Sequence, residues 1–178
     1  MERRVEVFTK KDFPDTLGNK IKSEIESIGI ASIDEIRIAQ VYLIDGDLSK
    51  EDIKRICDEL LTDGLTQDCI YYNGLSESSA EQAGKKGHKD NVAYTIEVAR
   101  KQGVMDPVES TVIKGIRDLG LDAKSVKTTR RFLITGALTL DQAEAIANKV
   151  LANKIIEDVF INKHDLFYEK KEAIDYVF

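Results

Sequence analysis

Asp15 and Asp106 are the first residues that could do chemistry. Each stands just ahead of a run with helical spacing, in DFPDTLGNK (residues 12–20) and GVMDPVEST (residues 103–111). A carboxylate so placed can shuttle a proton. It can also cap a helix, accepting the backbone N–H groups that the first turn leaves unpaired. Asp106-Pro107-Val108-Glu109 fits the cap: an acceptor, a proline at the first helical position and a glutamate spaced for a capping box. Asp15 can cap likewise, which leaves a catalytic carboxylate as the alternative for both.

The other reactive side chains form no constellation. His88 and His164 lie far apart, and Cys57 and Cys69 fall on helix-like and strand-like runs, so no metal-ligand spacing arises. Neither cysteine has an oriented histidine that would make it a nucleophile. Both read as small core residues with reduced thiols, a single disulfide being the alternative. Asp45-Gly46-Asp47 resembles a piece of a calcium loop, but a turn at Gly46 explains it. No glycine-rich phosphate loop follows a strand. Arg130 and Arg131 are adjacent, so on a strand they face opposite sides. With Arg37 they could meet a partner's carboxylates or a phosphate. A solvated strand edge that resists aggregation is the commoner reading. The residues therefore nominate no catalytic, cofactor-binding or metal-binding group.

The elements that would position these residues appear twice. Setting Asp15 on Asp106 aligns Glu6 with Glu97, Val7 with Val98, Ile25 with Ile116 and Gly29 with Gly120, an offset of 91. After one deletion near residue 33 the offset is 90, and Leu43 meets Leu133, Gly46 meets Gly136, Ile56 meets Ile146 and Asp68 meets Asp158. The chain is a tandem duplication of a unit of roughly 70 residues. In each unit a strand alternates Val5-Glu6-Val7 or Ile96-Glu97-Val98, with one buried face. A helix follows, burying Leu17, Ile21, Ile25 and Ile28, or Val108, Val112, Ile116 and Leu119. Gly29 and Gly120 stop it. A second strand (about 35–45 and 125–135) leads to a second helix opened by Ser49 or Thr139. Its apolar face is Ile53, Ile56 and Leu60, or Ala143, Ile146 and Val150. QDCIYY and EDVFI close the units. Ala39-Gln40 and Thr129-Arg130 make poor hairpin turns, so the middle strand should be one long bent strand or two strands meeting at a bulge. Its overhang could pair with the other unit and join both sheets. The fold class is α+β, strand-helix-strand-helix-strand twice, with helices on one face.

The boundaries are residues 1–73, a linker at 74–91, residues 92–163, and a tail at 164–178 that docks on the core or leads to a further domain. The linker is rich in glycine and serine and reads as flexible. Its GKKG imitates a nucleic-acid clamp loop but lacks the flanking helices. The formal net charge is −6 and the pI about 5.1, which argues against nucleic-acid binding. No apolar run is long enough for a bilayer, and MERRVEVF is no secretory signal. The reading is a cytoplasmic protein that meets other proteins.

IEVARKQGVMDP, RFLITGALTLDQAEAIANKVLANKIIEDVFI and its LLAN-x-IIE-like ending resemble the PurS family, the small subunit of phosphoribosylformylglycinamidine synthase. The resemblance covers residues 92–162, with 3–72 a more divergent copy resembling the unit fused to some large synthases. Of the family's GV-x-DP-x-G pattern, the second copy keeps Gly103, Val104, Asp106 and Pro107 but has Glu109 for glycine. The first keeps Asp15 and Gly18 but has Thr16 for proline. The resemblance implies a PurS-dimer-like chain without catalytic residues or a cofactor of its own. It implies partnership with a PurL-type synthetase and a PurQ-type glutaminase, support of ammonia transfer between them, and self-association. A tandem ACT-like amino-acid-binding module is the alternative.

Overall fold

The computed structural model describes residues 2–73, 80–81 and 92–163. Their order is β1 (Glu2–Thr9), α1 (Thr16–Ser27), β2 (Ile33–Gly46), α2 (Lys50–Ile56), β3 (Gln67–Asn73), β4 (Ala80–Glu81), β5 (Val92–Arg100), α3 (Pro107–Asp118), β6 (Ala123–Gly136), α4 (Leu140–Ile146) and β7 (Glu157–Lys163). The second helix of each unit widens at its end into a π turn, Cys57–Leu61 and Ala147–Leu151. The strands form one sheet in the order β4-β3-β1-β2-β6-β5-β7, with antiparallel neighbours throughout. Among the described residues no helix is long and apolar enough to cross a membrane.

Local sequence explains the helix ends. Ser49 with Asp52, and Thr139 with Gln142, close reciprocal capping boxes at α2 and α4. Gly29 and Gly120 end α1 and α3 at φ of 90° and 76°, where a side chain would be strained. The helical faces are shorter than their spacing suggests. Ile25 and Ile116 are fully buried, but Leu17 and Val108 at the first turns are exposed, as is Ile28.

Each middle strand is a single run of 14 residues, and its irregularities lie near its ends rather than at the centre. β1 pairs with β2 only over residues 39–45, so the first half of β2 overhangs its own unit. It lies against β6, which carries β5 on its far side. At the middle of this ladder Gln40 stands opposite Arg130, its own counterpart in the repeat.

The staggered ladder puts both cores under joint ownership. One core combines Val5, Val7 and Ile44 with Ile53, Ile56 and Cys57 of the first unit, then adds Val112 and Ile116 from α3 of the second. The other combines Ile96, Phe132, Ile134 and Ile146 of the second unit with Ile25 of α1 and with Ile33 and Ile36 of β2. Each unit's first helix thus packs beside the other unit's second helix. The helices share one face of the sheet, because strand residues in both cores come from the same side of the pleat.

Between the units, Ala80 and Glu81 pair with Tyr72 and Tyr71. His88, GKKG, His164 and the tail lie outside the described residues.

Candidate functional site

Both aspartates are helix caps. Asp15 Oδ1 accepts the Gly18 N–H at 2.8 Å, and Asp106 Oδ1 accepts that of Val108 at 2.9 Å. Gly18 is required by close approach: a Cβ there would lie 2.5 Å from the Ile36 carbonyl oxygen. Its counterpart Glu109 pairs with Lys127 at 3.4 Å.

Asp106 also does something Asp15 does not. Its Oδ2 accepts the Thr128 hydroxyl at 2.6 Å and faces Arg100 Nε at 3.3 Å. Burial works against its ionisation, but the Thr128 and Val108 hydrogen bonds and the Arg100 charge outweigh that. They hold the carboxyl below its ordinary pKa. It borders a cavity of about 120 Å³ at the middle of the ladder, beside Gln40, Arg100, Arg130 and Glu157. Arg130 donates to Glu157 at 2.8 Å and to the Leu151 carbonyl at 3.3 Å, and lies over the Phe132 ring. Each acid in this cavity faces an arginine, so the wall is balanced in charge. It fixes loop ends rather than presenting a free base.

The helix-free face holds a second cluster. Arg4 donates to Glu6 at 2.7 Å and reaches across the seam to both Glu97 oxygens at 3.1 and 3.2 Å. Arg131 reaches the other way, to Glu6 at 2.7 Å. The Thr129 hydroxyl donates to Glu97 at 2.5 Å. These five side chains are all buried, Glu6 completely. Two cations and two anions cancel, as buried charges must.

Two sequence expectations are corrected here. Glu6 and Glu97 alternate with apolar residues, which suggested a solvated face; both are buried, since Val41, Leu43 and Phe8 share that face. Arg131 does not guard an edge. β6 is central, and Arg131 is 7% exposed within the ion network. Arg130 and Arg131 do face opposite sides. Arg37 donates to the Thr9 carbonyl at 2.9 Å and lies over Phe8. The pairing of Glu6 with Glu97 in the repeat alignment was the available signal for the network. Nothing in the alignment showed that Arg4 and Arg131, which face Thr95 and Val41 there, would complete it. Among the described residues no three His, Cys, Asp or Glu side chains converge as a metal site.

No curated protein matches the chain. A family model described as PurS, phosphoribosylformylglycinamidine (FGAM) synthase, matches it twice, over residues 2–72 and 93–165. These segments are the two repeats, and the α+β layer is built from one PurS-like unit and its copy. The chain belongs to the PurS family of phosphoribosylformylglycinamidine synthase.

Proposed function

We propose that this chain is a non-catalytic component of phosphoribosylformylglycinamidine synthase in purine biosynthesis. It would work in the cytoplasm, hold a PurQ-type glutaminase against a PurL-type ATP-dependent synthetase, and help ammonia pass between them. The double family match carries the reading, since each repeat supplies one PurS-like unit. The internal chemistry agrees with it. Arg4, Arg100, Arg130 and Arg131 are engaged with Glu6, Glu97, Asp106 and Glu157, and so stabilise structure instead of addressing a substrate. The two units also present apolar residues to solvent at equivalent places: Leu65 and Ile155, 79% and 83% exposed, and Leu17 and Val108. Such residues suit protein contacts.

The test is reconstitution. The purified chain with formylglycinamide ribonucleotide, ATP and glutamine should form no product. Adding the synthetase and glutaminase should give glutamine-dependent turnover, and the three should co-elute. Turnover by the chain alone, or full glutamine-dependent turnover by the partners without it, would refute the proposal.

A further inference from the structure

The two cysteines of the chain come from different elements and meet in one core. Cys57 opens the π turn after α2 and is 1% exposed. Cys69 lies on β3, opposite Val7 of β1, and is partly accessible. Both pack in the core formed by Val5, Val7, Ile53 and Ile56. The Cys69 thiol lies beside Cys57, and its interaction with that neighbour is the largest influence raising its pKa. Both are free thiols. In the second unit the same places hold Ala147 and Val159, so the fold needs no sulfur there. The duplication has put a dithiol into one unit only.

We propose that Cys57 and Cys69 are a reversible dithiol–disulfide site, through which a small-molecule disulfide such as oxidised glutathione modifies the first unit. The partly accessible Cys69 is the point of attack, as its thiolate displaces one glutathione thiolate and forms a mixed disulfide. The Cys57 thiolate then attacks the Cys69 sulfur and releases the second glutathione. Two protein thiols lose two electrons and two protons, and one oxidised glutathione becomes two thiols. The bond ties the π turn to β3. The neighbouring Cys57, then burial, then the Asp58 and Glu6 charges push the Cys69 thiol upward, which keeps the thiolate scarce and the site slow at neutral pH. It should therefore respond to sustained oxidation rather than to brief exposure. The disulfide would clamp the last long strand of the first unit to the helix that α3 packs against.

The experiment treats the full chain with oxidised glutathione at mildly alkaline pH, quenches with acid and maps peptides without reduction. The expected product is an intrachain Cys57–Cys69 disulfide with no glutathione retained, reversed by dithiothreitol. It should form with the α+β circular dichroism unchanged and should raise the melting temperature. Cys57→Ala, which takes the residue of the second unit, should stop at a lasting glutathione adduct on Cys69. Cys69→Val should leave Cys57 unmodified. Four results overturn the proposal: a lasting adduct on wild-type Cys69, a disulfide between chains, unreacted thiols in the folded protein, or a bond that forms only with loss of the fold.

Discussion

Removing Arg131 should be one of the most damaging single changes on the helix-free face, and removing its partner as well should repair much of the harm. Arg131 is 7% exposed and Glu6 is 0% exposed, with 2.7 Å between them. Arg131→Met keeps the volume but strips a cation from a balanced set of four, leaving a surplus negative charge without water. Breaking a buried pair in this way costs about 3–5 kcal/mol. For a chain of this size that corresponds to a fall in melting temperature of about 6–20 °C. In Glu6→Leu/Arg131→Met the remaining pair is self-sufficient, because Arg4 holds both Glu97 oxygens. The residual cost is the hydrogen bond from Arg4 Nε to Glu6, on the order of 1–3 kcal/mol for a charged partner. The double variant should therefore be more stable than Arg131→Met. Urea unfolding of wild type, both single variants and the double, at neutral pH, gives the coupling directly. A cost below about 1 kcal/mol for Arg131→Met, with strict additivity, would mean that water reaches these charges and the face is not sealed.

Ile25→Ala should cost about 2–5 kcal/mol, and hydrogen exchange should rise on β5 and β6 of the opposite unit more than on β1 and β3, because Ile25 packs with Ile96 and Phe132. Asp106→Ala should cost more than the ~1 kcal/mol of a simple cap and more than Asp15→Ala, since Thr128 also loses its acceptor; denaturant melts of the two variants rank them. Asp106 has a lowered folded-state pKa, so its ionised form contributes stability that is complete above the unfolded value of about 3.9 and is lost as pH falls through the folded value. Asp106→Asn should therefore flatten the acid limb of a stability–pH curve below about pH 4, and an unchanged limb would contradict the linkage. Gly18→Ala should destabilise, because the added methyl meets the fixed Ile36 carbonyl rather than a movable side chain; a neutral thermal melt would show that α1 can shift outward.

What could be read from the sequence was whatever depends on neighbours along the chain. The caps at Asp15, Asp106, Ser49 and Thr139 and the stops at Gly29 and Gly120 are local hydrogen-bond and dihedral rules, and all six hold, although the capping box read at Asp106 and Glu109 does not form because Glu109 pairs with Lys127 instead. The doubtful turn at Ala39-Gln40 correctly argued against a hairpin, because a hairpin needs residues that tolerate its dihedrals, but it left open the choice between one long strand and two meeting at a bulge, which the 14-residue strand decides. What depends on contacts across the seam was hidden. Leu17 has the same spacing from Ile21 as Ile21 has from Ile25, yet only Ile25 is fully buried. The exchange of first helices between units follows from the stagger of β2 against β6, which periodicity does not encode. The site residues divide the same way: capping by Asp106 was legible, but its bonds to Thr128 and Arg100 join three separate elements.

The shared ownership of the two cores has a consequence for how the protein is made. When the first unit has left the ribosome, α1 has only β2 to pack on, because its other neighbours Ile96, Phe132 and Ile146 are not yet synthesised. Gln40 waits for Arg130, 90 residues later, a delay of roughly 5–18 s at 5–20 residues per second. During that interval β2, 14 residues long, is paired only with β1 over residues 39–45, so its β6 edge is open and α1 lacks its neighbours from the second unit. Another nascent chain in the same condition offers the same strand in the same register. Cells making this protein from crowded polysomes should therefore accumulate exchanged dimers unless a chaperone shields the first unit until the second arrives.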